Sequence, residues 1–123
     1  MTSPVARVGA IMIDCHDPTA LAAFWGELTG TEPEFVYPEY VFMTKLPGNH
    51  VRLAFQKVPE SKTVKNRVHL DLGYKDPDAF IEKVVELGGG VAETHQMSEG
   101  PPWTVLTDPE GNEFCITTPH EEG

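Results

Sequence analysis

The segment DPTALAAFWGELTG, Asp17 to Gly30, returns 59 residues later as DPDAFIEKVVELGG, Asp76 to Gly89. Asp17/Asp76, Pro18/Pro77, Ala20/Ala79, Glu27/Glu86, Leu28/Leu87 and Gly30/Gly89 are identical pairs. Each copy opens with an aspartate suited to cap a helix and a proline suited to its first turn, and each stops at glycine. Between them, apolar residues recur three and four apart: Leu21, Phe24, Trp25 and Leu28, then Phe80, Ile81, Val84 and Val85. That spacing predicts two amphipathic helices.

A second repeat lies downstream. YVFMTKLPGN, from Tyr40, aligns with WTVLTDPEGN, from Trp103, at an offset of 63, and each reads as strand, turn and strand with a Gly-Asn pair in the turn. The larger offset assigns four extra residues to the second half, within GGGVAETHQMSEGPP. Short apolar strands precede each helix (VGAIMIDC, VHLDLGY) and weaker ones follow (EFVYP, VAETH). The chain therefore reads as βαβββ twice, an α+β domain over 1–123 with modules at about 1–57 and 66–120 and a polar linker at 58–65.

Composition bounds the function. With 19 acidic against 9 basic residues the formal charge is −10, which repels nucleic-acid phosphates and anionic lipid. No stretch approaches the roughly 18 apolar residues of a membrane helix. MTSPVARVGA does not resemble a secretory signal, so a cytoplasmic location with reduced cysteines is expected. By strand alternation Cys15 belongs to the helix layer and Cys115 to the opposite face, so the two are not expected to bond.

The stretches IMIDCHDPTALAAFWGELTG, FQKVPESKTVKNRVHLDL and TDPEGNEFCI resemble the glyoxalase/bleomycin resistance/dioxygenase group, the vicinal oxygen chelate superfamily, and most closely its small glyoxalase-like proteins. The resemblance implies two modules forming a curved eight-stranded sheet around a cleft, helices on the convex side, and a homodimer. It also implies four ligand places in metal-dependent relatives, one on the first and one on the last strand of each module. Carried onto this chain, those places hold Ala10, Arg52, His69 and Cys115. Alanine cannot ligate and a permanently charged guanidinium repels a cation, so no metal and no other cofactor is expected. Asp14 and Asp71 share strand faces with Ala10 and His69 and could still complete a set with His69 and Cys115.

Each of these residues has two readings. Cys115 is a small apolar filler or a nucleophile activated by Arg52 or His69. His69 is bonded to a carboxylate such as Asp71 or touches ligand. Arg52 forms an internal salt bridge to Asp14 or Asp71 or anchors an anion. Tyr40 and Trp103 wall the cleft or pack under a helix. His16, His50, His95 and His120 read as solvated surface. Two functions follow: a metal-independent small-molecule-binding module with Trp103, His69, Arg52 and Gln56 around its ligand, and a lyase or isomerase with His69 as acid or base, Cys115 as a second catalytic group and Arg52 stabilising negative charge.

Overall fold

The computed structural model describes residues 4–95 and 103–117. Both helices stand where the repeat predicts. Helix α1 (Pro18–Thr29) is capped by the Asp17 carboxylate, which accepts from Ala20 N at 3.1 Å. Helix α2 (Pro77–Glu86) is capped by Asp76, which accepts from Ala79 N at 3.2 Å. Gly30 closes α1 with φ of 70°. After α2 the left-handed residue is Gly88, at φ of 102°, not the aligned Gly89. A left-handed turn there strains any residue with a Cβ.

The eight strands make two four-stranded sheets, one in each of two compact units, 1–61 and 62–123. In the first, β1 (Ala10–Cys15), β2 (Pro33–Tyr37), β3 (Tyr40–Lys45) and β4 (Arg52–Lys57) lie in the order β1-β4-β3-β2. In the second, β5 (Leu70–Gly73), β6 (Gly90–His95), β7 (Trp103–Thr107) and β8 (Glu113–Thr117) lie in the order β5-β8-β7-β6. First and last strands pair in parallel and the hairpins antiparallel, so the chain is two tandem βαβββ modules of α+β type. The stretch 96–102, which takes part of the expected insertion, lies outside the described residues.

Each helix covers one face of its own sheet. Helix α1 packs on β3 and β4, burying Leu21, Phe24 and Trp25 with Val41, Met43, Leu53 and Phe55. Gly26 is the close-approach point, where an added Cβ would stand 2.6 Å from the backbone oxygen of Thr31. Helix α2 packs on β6 and β8 and buries Val84, with Leu106, Phe114 and Ile116 in the same module's core. Val85, expected on the apolar face, is 51% exposed, lying roughly 100° around the helix from the fully buried Val84.

Two irregularities interrupt the ladders of the first sheet. Pro33 pairs with Met43 and Phe35 with Phe42, so Glu34 is an inserted, unpaired residue. The β3–β4 ladder also shifts between Phe42 and Lys45, whereas β7–β8 runs without a shift. The turn between β7 and β8 is tied by Asp108, whose carboxylate accepts from Glu110 N, Asn112 N and Asn112 Nδ2 at 2.9 to 3.0 Å.

Candidate functional site

In the first module, strand alternation turns Arg52, Phe35, Tyr37, Tyr40 and Phe42 away from α1, opposite the buried Val41, Leu53 and Phe55. Gly9, Ala10, Phe35, Tyr37, Phe42 and Arg52 line a pocket of about 450 Å³. Tyr40 stacks on Phe42 with ring centroids 6.3 Å apart, so its place is on this open face and not beneath the helix.

Arg52 is held from three sides. Its Nη1 donates to Glu34 Oε1 at 2.7 Å and to the Met43 carbonyl at 3.0 Å, and its guanidinium carbon lies 5.4 Å from the centre of the Phe35 ring. The expected salt bridge to Asp14 or Asp71 is replaced by one to Glu34. The register explains Asp14: it pairs with Gln56, four residues along β4 from Arg52, or about 13 Å of extended chain. Asp14 and Gln56 therefore stand together at the far end of the sheet from Arg52. Glu34 escapes an alternation reading because it is the residue that the β2 bulge inserts. The signal that could have found the pocket is the period of two in PEFVY and YVF, which puts Phe35 with Tyr37 and Tyr40 with Phe42.

The second module gathers three of the expected residues. Asp71 pairs directly with Cys115 in the β5–β8 ladder, and His69 Nε2 lies 3.4 Å from Asp71 Oδ1. One donor atom from each of His69, Asp71 and Cys115 falls within 4.8 Å of the others. The repeat makes His69 the counterpart of Ala10, which pairs with Arg52, yet it is Asp71 that sits beside Cys115. Cys115 is only 7% exposed. Burial first, and then the charge of Asp71 and a hydrogen bond to it, push the thiol pKa above its ordinary value, against a weaker pull from Lys65. The proton is therefore held on sulfur, which disfavours the nucleophile reading. Trp103 lies on the same face as Val105, the register neighbour of Cys115, while Thr104 and Leu106 are buried on the other.

Of the remaining histidines, His16 is exposed, with Nε2 2.9 Å from the Glu60 carbonyl, and His50 is exposed. The His95 side chain and His120 lie outside the described residues. Neither cysteine is in a disulfide, and Cys15 donates to the Gln56 carbonyl at 3.6 Å.

A glyoxalase-like domain model matches residues 10–117. The chain belongs to the glyoxalase-like domain family. Solved structures share the fold of this glyoxalase-like domain at low identity. A glyoxalase/bleomycin resistance protein/dioxygenase family enzyme from Burkholderia phytofirmans PsJN is 19% identical with a TM-score of 0.74, over 92% of this chain and 98% of its own. A glyoxalase-related enzyme from Fulvimarina pelagi is 23% identical with a TM-score of 0.72, over 94% and 89%. A lactoylglutathione lyase from Agrobacterium tumefaciens is 18% identical with a TM-score of 0.65, over 94% and 95%. No curated protein matches this glyoxalase-like domain closely enough to place it more finely. Among its described residues no helix is long and apolar enough to cross a membrane.

Proposed function

We propose that this glyoxalase-like domain is a cytoplasmic, homodimeric small-molecule-binding protein, and that the first module's pocket takes its ligand without a metal. The observation that carries this reading is Arg52, a guanidinium 17% exposed at the side chain, fixed over the Phe35 ring in a pocket otherwise lined by glycine, alanine and aromatic residues. A volume near 450 Å³ suits a small organic molecule, and the aromatic walls suit a flat one. Ala10 and Arg52 supply no metal donor here. The test is an NMR titration with 2-naphthol. Saturable shifts at Gly9, Ala10 and Phe42 are expected, weakened by about 1.5 to 3 kcal/mol in Arg52→Met. No saturable shift, or undiminished affinity in the variant, overturns the reading.

The second reading, a lyase or isomerase using His69 as acid or base, is favoured by the His69, Asp71 and Cys115 group. The four-place ligand set of metal-dependent relatives does not fit this chain at Ala10 and Arg52. The three donors of the second module do fit a zinc-type site that keeps one position open. A metal bound there would supply a Lewis acid and an acidified water. His69 and Asp71 are open to solvent and would meet substrate, while Cys115 would surrender its proton on coordination. Cobalt(II) titration separates the readings: a stoichiometric thiolate absorption band abolished in Cys115→Ala favours this one, and its absence removes the metal.

A further inference from the structure

Arg52 and Glu34 form a pair with an unspent side on each partner. Among the described residues both hydrogen bonds of Arg52 leave from Nη1, so its Nε and Nη2 protons remain available, and the bond to Arg52 uses only Oε1 of Glu34. Glu34 keeps 42% of its side chain exposed, so its second carboxylate oxygen can accept from a ligand. Two ladder irregularities bracket this point: the β2 bulge that inserts Glu34, and the β3 shift between Phe42 and Lys45, the register partner of Arg52. Bulges re-aim side chains beside binding sites; the second module has a counterpart of the β2 bulge, between Val91 and Glu93, but none of the β3 shift.

The pair is electrically neutral. A carboxylate ligand drawn to Arg52 would also meet Glu34, held 2.7 Å from that guanidinium, and the field of a chain carrying −10. A cation drawn to Glu34 would meet Arg52. A ligand edge that accepts from one partner and donates to the other meets no such opposition.

We infer that the pocket takes an uncharged planar ring whose edge carries a hydrogen-bond acceptor beside a donor, as in a carboxamide or lactam, with the acceptor on Arg52 and the donor on Glu34. Phe35, Tyr37 and Phe42 supply the apolar faces for the ring, and Gly9 and Ala10 leave room along β1. This inference rests on the small-molecule-binding reading and adds the class of ligand.

The experiment compares 2-naphthamide, 2-acetonaphthone and 2-naphthoate, which share a ring and differ in the edge group. Binding is followed by NMR at Gly9, Ala10 and Phe42 in the full chain. Naphthamide is expected to bind at least tenfold more tightly than either of the others. In Glu34→Gln, which removes the charge and keeps the shape, naphthoate is expected to gain at least tenfold as Arg52 loses its counter-ion. If naphthoate equals or exceeds naphthamide in the unaltered protein, or all three bind alike, the inference fails and the pocket reading stands. If no compound shifts these residues, both fail.

Discussion

Cys115 shows how one neighbour sets a side chain's chemistry. Its register partner is Asp71, so a thiolate formed there would face a carboxylate inside a site that burial has already made costly for charge. Proton binding is thus tighter in the folded state than in the unfolded one. The contribution to stability is present below the ordinary thiol pKa and fades as pH rises through the raised value. In a Cys15→Ala background, iodoacetamide alkylation is expected to have its pH midpoint above that of a free thiol, and Asp71→Asn should move it down. A midpoint at or below the free-thiol value would refute the account. This partnership was half legible. Alternation along VHLDL puts Asp71 on the face of His69, but the choice of Asp71 over His69 as the neighbour of Cys115 depends on pairing between strands far apart in sequence.

At the scale of elements, the helices were legible because their signals are local: an Asp-Pro start and an apolar stripe that reads the same in both copies. Glu34 was not, since a bulge reverses the face of one residue without leaving a mark in composition. Helix α1 carries a constraint that propensity alone would misjudge. Alanine is favoured over glycine by about 1 kcal/mol in a helix interior. At Gly26, however, the new Cβ would meet the Thr31 oxygen at 2.6 Å and the Met43 Cε at 3.1 Å. The oxygen belongs to the backbone and can yield little. Gly26→Ala is therefore expected to destabilise by about 1 to 3 kcal/mol, read from the denaturation midpoint; a rise in stability would show that propensity wins. The approach to β8 is strapped by Glu113, which accepts from Asn66 N at 2.9 Å and pairs with Lys62 at 3.1 Å. Burial opposes its charge, but the Asn66 amide and Lys62 outweigh it and hold its pKa below the ordinary carboxylate value. Stability from this strap is present above the ordinary value and is lost as pH falls through the lowered one. Glu113→Gln should flatten the acid limb of a thermal-stability profile, and an unchanged limb would show that the strap contributes nothing to it.

For the whole molecule, β2 is the feature that calls for a partner. It is an edge strand with all five residues exposed, and Val36, on the face opposite the pocket, is 63% exposed. Open apolar edges invite pairing, and symmetric association is one way to cover them. Light scattering is expected to give twice 13.6 kDa, and a particle of 13.6 kDa at high concentration would remove the dimer. The modular plan also has a consequence in time. Every rung of the first sheet's ladder joins residues between Ala10 and Lys57, so none of it waits for the second half to be made. At about 5 to 20 residues per second, synthesis of 62–123 takes roughly 3 to 12 s. Before the last of the second half is made, the first sheet has all the sequence it needs to close, so its aromatic pocket can form on a chain that is still being extended.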